Sequence, residues 1–191
     1  MNYTMRVLIG DNDSSFNAVL DYWTAFAESH QVGFKRAAEL LLEHFLRDIK
    51  NAAGDRDTLI LPILFLFRHY LEIRFKEITA SGITLLGESA AWPLGHNLIK
   101  LWRDCRGVCE RIYGENFSDQ LELVHKCVED LNYLDQTSEN FRYPKDKNGN
   151  PPFKQEVISL RILHDVIRDV GNFLEGISME IFARREYLNE R

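Results

Sequence analysis

Three groups of residues in this chain have the types and spacing to do chemistry. The first is Arg68-His69-x-x-Glu72, inside the most apolar segment, LILPILFLFRHYLEIRFKEI at 59–78. Read as a helix, this segment sets Arg68 and Glu72 four residues apart on one face and His69 three residues from Glu72. Burying such charges costs several kcal/mol per ion unless they are paired or hydrogen-bonded. The group is therefore either a satisfied structural network or a working site. The second is His96 in Gly95-His96-Asn97-Leu98, where an imidazole near a helix start can meet free backbone N–H groups. The same position suits an ordinary capping histidine. The third is Phe141-Arg142-Tyr143-Pro144 followed by Lys145. Here Arg142 can grip phosphate with two parallel hydrogen bonds and Tyr143 can stack on a base. A solvated loop is the plainer reading of those residues.

The elements that must position these groups are helices. Phe16, Val19, Leu20, Trp23 and Phe26-Ala27 recur at three-and-four spacing, with Gly33 as an expected interruption. Ala37, Leu40–Leu42, Phe45 and Ile49 continue that pattern up to Gly54, an expected stop. A major helix is predicted from Asp57, as N-cap, to Thr79, with Pro62 near its first turns and apolar residues almost all round its first half. Ser81–Trp92 reads as a connection, and a third helix is predicted from about His96 to Tyr113, closed by Gly114. Ser118 or Asp119 caps a fourth, with Leu121, Val124, Val128, Leu131 and Leu134 inside. The stretch 136–154 is irregular, and a last helix is predicted from about Gln155 to Leu188. The run Met5–Ile9 reads as a short strand or an ordered arm. The expected fold is all-α, an antiparallel bundle of about five helices in one domain over 1–191. Residues 1–54 form an N-terminal arm and first helices, and residues 55–191 the bundle core.

Composition narrows the function classes. At 191 residues, 45% hydrophobic and 27% charged, the chain has the balance of an ordinary globular domain. A net charge of −6 argues against a dedicated duplex-DNA binder but leaves room for a local basic groove. The 136–154 loop supplies one past Phe141: Arg142, Lys145, Lys147 and Lys154 stand against Asp146 there, beside an acidic stretch, 115–139, with seven carboxylates and one lysine. Cys105, Cys109 and Cys127 are odd in number and lack CxxC spacing, which points to packing thiols in a reducing cytoplasm rather than to disulfides or a metal. His30, His44, His125 and His164 read as surface or boundary residues. No phosphate loop, GxSxG, HExxH or carboxylate metal motif is present, so no cofactor or metal is expected. The N-terminus lacks signal-peptide character, and the longest apolar run, Leu59–Phe67, is about half of a membrane span, so no membrane partner is expected.

The bundle layout, together with RHYLEIRFKEI, GHNLIKLW and FRYP, resembles uncharacterised members of the HEPN-like group (higher eukaryote and prokaryote nucleotide-binding domains) from about Asp57 to the end of the last helix. The resemblance implies a helical, often dimeric domain. Many members are metal-independent ribonucleases of toxin–antitoxin and phage-defence systems, and others are RNA-binding or assembly modules. The group's catalytic Arg, four to six residues, then His, is not found here; Arg161-Ile-Leu-His164 has only two residues between. The first expectation is thus a cytoplasmic, homodimeric module contacting RNA or a partner protein, with Arg142, Tyr143 and Lys145 as RNA contacts. The alternative is an endoribonuclease rebuilt from Arg68, His69, Glu72, His96 and Arg142. In it a histidine would act as base toward a ribose 2′-OH, and arginine would stabilise the charged phosphorane. A purely structural subunit is the third reading.

Overall fold

The computed structural model describes residues 28–47, 53–146, 148–153 and 156–190. They form five helices: α1 (Glu28–Arg47), α2 (Ala53–Leu85), α3 (Leu98–Tyr113), α4 (Ser118–Leu134) and α5 (Leu160–Asn189). No strand occurs among the described residues, and the fold is an all-α bundle. The expected arm at Met5–Ile9 and the helical stripe at Phe16–Ala27 lie outside them.

The 33-residue α2 is the central rod, about 50 Å long at 1.5 Å per residue. Ile63, Phe67, Leu71, Phe75 and Ile78 are buried along it, and all five helices contribute to one contiguous core. Side-chain pairings give the directions. Phe34 meets His69 and Lys35 meets Glu175, while Phe45 shares a cavity wall with Ile60 and Leu160, so α1 runs against both α2 and α5. Phe117 packs on Phe173 while Leu131 and Leu163 share a cavity wall, so α4 also runs against α5. Tyr70 reaches Gly171 and Ser178 reaches Glu77, so α5 runs with α2. Trp102 packs on Phe75 near the start of α3, and Val108 and Ile112 stand beside Gly82, so α3 runs with α2 as well. The connection 86–97 therefore travels back along the bundle, whereas 135–159 joins the neighbouring ends of α4 and α5, and both reach Arg68 near the middle of α2.

Several boundaries differ from the sequence expectation, each for a physical reason. α1 continues through Gly33, because the roughly 1 kcal/mol cost of an internal glycine is small beside the burial of Ala38, Leu42 and Phe45 on the same helix. Gly54 opens α2 rather than ending α1, so Asp57 is not the N-cap and Pro62 stands ten residues into the helix. Thr58 and Pro62 are both exposed there, so the carbonyl that Pro62 cannot serve can turn to water. α2 runs on past Ser81 because Gly82 is a packing glycine: a Cβ there would overlap Val108 Cγ1 and crowd Ile112. The helix ends at Gly87, φ 79°, with Gly87 N donating to Thr84 O and Glu88 N to Ile83 O, a Schellman closure. Asn97 caps α3 through Lys100 N at 2.8 Å, and Gly114 closes it as expected. Neither Ser118 nor Asp119 caps α4, which follows Phe117 with no side-chain cap. α5 starts at Leu160, not Gln155, where Ser159 accepts from Ile162 N.

Gly82 and Gly176 make a paired test of packing against propensity. Overpacking costs about 1–3 kcal/mol, against a helix-propensity gain of at most about 1 kcal/mol for Gly→Ala. Gly82→Ala is expected to lower the urea midpoint. Gly176→Ala, whose new Cβ meets nothing within 4 Å, is expected to raise stability by about 0.5–1 kcal/mol. Equal shifts from the two variants would contradict the packing role of Gly82.

Candidate functional site

α2 carries Arg68, Glu72 and Lys76 at four-residue spacing, one face of the rod, at the level where both connections reach it. Arg68 is 2% exposed. Its guanidinium donates to Ser138 Oγ at 2.8 Å and to the His96 carbonyl at 3.0 Å. Glu72 Oε2 stands 3.5 Å from Nη1, and Asp135 Oδ2 is 3.7 Å from Nε, an ion pair without a hydrogen bond. Glu72, 4% exposed in its side chain, accepts from Lys76 Nζ at 2.9 Å and lies 2.7 Å from His96 Nδ1. Two buried cations thus face two buried carboxylates, with His96 closing the group from outside. Burial lowers the affinity of Arg68 for its proton, and Asp135 and Glu72 counter it. Burial likewise opposes ionisation of Glu72, but hydrogen bonds from Lys76 and His96 overcome it and hold the carboxyl below the usual glutamate range.

The loop root is built on the same network. Asp135 Oδ1 accepts the backbone N–H groups of Glu139 and Asn140 at 2.9 and 3.2 Å, and Asn140 Nδ2 donates to Leu134 O at 2.8 Å. Ser138, at φ 66°, turns its hydroxyl to Arg68 and its carbonyl to Arg142 Nε at 2.7 Å. Phe141 is buried and stacks on Phe153 at 5.9 Å, so the irregular stretch is folded against the body. Outside that root, Tyr143 is 54% exposed with the Arg142 guanidinium 5.3 Å over its ring, and Lys145 is exposed.

The structure therefore gathers Arg68, Glu72 and His96, with Arg142 joined through Ser138. It turns His69 aside: that ring meets Phe34 edge-on at 4.5 Å and stacks parallel to Phe65 at 5.9 Å. Burial depresses its proton affinity, opposed by Glu72, and favours the neutral ring. Cavities of about 760, 410 and 340 Å³ open elsewhere, at the α5 start, beside α4 and near the end of α5. Arg68, Glu72 and Arg142 line none of these three. Among the described residues no group of three His, Cys, Asp or Glu side chains is placed to hold a metal. No helix of the described residues is long and apolar enough to cross a membrane.

Sequence reasoning missed Asp135 and Ser138. Asp135 directly follows the last helical residue of α4, where an aspartate suits a loop root, and its carboxylate accepts backbone N–H groups four and five residues on. Ser138 has no sequence signal for its contact, which joins residues seventy positions apart.

Removing one member of a buried ion pair costs about 3–5 kcal/mol because the other charge is left uncompensated. Glu72→Ala and Arg68→Ala are each expected to lose that much in denaturant unfolding at neutral pH. The folded-state pKa of Glu72 is depressed, so its contribution is complete above the unfolded value of about 4.3 and is lost as pH falls through the folded value. Wild-type stability should therefore drop below about pH 4.3, and Glu72→Gln should be flatter over that interval. Identical slopes for the two would remove Glu72 from the pH dependence.

No protein-family model matches this chain, and no curated protein or solved structure matches it.

Proposed function

We propose that this chain is a helical module of the HEPN-like kind that binds single-stranded RNA, without cutting it, through the loop bearing Arg142, Tyr143 and Lys145. The observation that supports this reading most directly is the exposed Arg142–Tyr143 cation–π pair on a loop whose root is tied to the buried Arg68. An aromatic face with an adjacent guanidinium is a stacking platform for a base beside a phosphate clamp. Its fixed root means that less loop entropy is lost on binding than for a free arm. Lys145 adds a second cation in a chain that is acidic as a whole, so attraction to the phosphate backbone is local. The three free, buried thiols suit a reducing cytoplasm. A homodimeric state, and a place in a toxin–antitoxin or phage-defence system, follow from the family resemblance alone.

One observation favours the endoribonuclease as a second reading. Glu72 holds Nδ1 of His96, whose side chain is 73% exposed, which leaves the other ring nitrogen facing solvent as a base needs. Arg142 would then hold the phosphate, while Arg68 would orient the site from beneath and His69 would take no chemical part.

Fluorescence anisotropy with a labelled single-stranded RNA tests the first reading. Tyr143→Ala is expected to weaken binding by about 1–3 kcal/mol, the worth of one stacked base, and Arg142→Ala to lower the salt slope by about one phosphate contact. Unaltered binding by the double variant would sink it. Incubation with total RNA in EDTA tests the second: cleavage by wild type, lost in His96→Ala and kept in His69→Ala, is the expected pattern. Absence of wild-type cleavage removes it. A chain that neither binds nor cleaves RNA, yet retains its fold, would leave contact with a partner protein or the structural subunit as the reading.

A further inference from the structure

The exposed imidazole of His96 is fixed in one tautomer by the buried group beneath it. Glu72 Oε1 accepts from Lys76 Nζ at 2.9 Å and lies 2.7 Å from His96 Nδ1. Hydrogen bonds from both hold the Glu72 carboxyl ionised, so it is an acceptor only and Nδ1 must carry the proton. The lone pair of the neutral ring is then on Nε2. Arg68 Nη2 donates to the His96 carbonyl at 3.0 Å, which fastens the backbone under the ring. The side chain is 73% exposed, and Nε2 meets no partner among the described residues. Leu94 close by is 86% exposed, and His96 lines none of the three cavities. The imidazole thus stands out from the surface with an oriented nucleophilic nitrogen and no hollow of its own to hold a second molecule.

A nucleophile so placed enters the pocket of another protein rather than receiving a substrate in its own. We infer that Nε2 of His96 is a phosphoryl acceptor, taking the group from a P–N bond of the phosphoramidate class, such as that of a phosphohistidine in a partner protein. In this step the Nε2 lone pair forms the new N–P bond as the donor's P–N bond breaks. The donor nitrogen departs as a neutral amine or imidazole with the electron pair of that bond. No proton leaves His96: Nδ1–H stays on Glu72, whose negative charge offsets the positive charge the ring acquires. One P–N bond replaces another, so no further driving reaction is needed. Arg142, joined to the same network through Ser138, adds a cation for the new phosphate. The inference stands apart from RNA binding, since it rests on Glu72 and His96 rather than on Tyr143 and Lys145.

Potassium phosphoramidate, a small P–N donor, tests this on the full chain, read by mass spectrometry and phosphorus NMR. Wild type is expected to gain a phosphate at Nε2 of His96, stable in alkali and lost in acid. The internal control is His164, whose Nδ1 faces the exposed Asp165 at 3.5 Å. His96 should react about tenfold faster than His164 or more, the effect of one charge-assisted hydrogen bond on the nucleophile. His96→Gln should abolish the fast labelling. Glu72→Gln removes the positioning charge and should slow the reaction and let the Nδ1 isomer form, with circular dichroism verifying its fold. The isomer formed by wild type reads the same positioning without any substitution. Equal labelling of His96 and His164, an Nδ1 product in wild type, or an unchanged rate and isomer in folded Glu72→Gln would overturn the assignment.

Discussion

The guanidinium of Arg68 is the group on which the middle of this molecule depends. It lies in the central helix, almost without solvent, where an unpaired charge would be prohibitively costly. Its partners come from three other places: Glu72 one turn along α2, the carbonyl of His96 in the connection to α3, and Asp135 and Ser138 where α4 gives way to the long loop. Hydrophobic burial is non-directional and would tolerate many paths for those two connections. A planar donor with fixed hydrogen-bond directions tolerates few. Arg68 therefore decides where the 86–97 and 135–159 segments meet the bundle.

A second polar deck sits on another face of the same helix and ties α2 to α5. Arg74 pairs with Glu77 at 2.8 Å, Ser178 Oγ donates to Glu77 at 2.6 Å, and the Tyr70 hydroxyl donates to the Gly171 carbonyl at 3.2 Å. Burial raises the Tyr70 phenol well above its ordinary value, so it remains a donor. Between these decks, Phe67, Leu71, Phe75 and Ile78 supply the apolar contacts that hold the helices together. Apolar burial carries most of the stability, and the polar decks select the axial register of α2 against its neighbours. The exposed chemistry inherits that selection: His96 and Arg142 share a neighbourhood because the backbone beneath each is fastened to Arg68 or to its Ser138 partner.

How legible this was depended on the range of the interaction. Helical periodicity identified α3, α4 and most of α2 and α5, because an amphipathic stripe is a local record of which side faces the core. Glycine was the residue most often misread. Gly33, Gly54 and Gly82 were expected as an interruption, a stop and a linker residue. One instead rides through α1, one opens α2, and one lets Val108 and Ile112 approach the rod. A glycine marks a missing Cβ, and only a neighbour can tell whether that absence serves a turn or a close approach. The pair Arg68–Glu72 was readable from spacing, while the Lys76 contact with Glu72 emerged only in the structure. Ser138 was not, since nothing in its surroundings along the chain distinguishes it from any loop serine.

By itself the amino-acid sequence determined that Arg68, His69 and Glu72 lie on one helix, that this helix is central, and that the loop after α4 is basic and aromatic. Those properties depend on residue type and on separations of a few positions, which the geometry of the α-helix converts directly into faces. Tertiary structure alone decided that Arg68 and Glu72 are clasped from two distant connections while His69, their immediate neighbour, is turned to Phe34 and Phe65. Adjacent helical residues point about 100° apart, so one faces the two connections and the other faces α1. Which of them meets a carboxylate or an aromatic ring depends on how the chain returns, and that is a matter of packing over many residues rather than of spacing along a few.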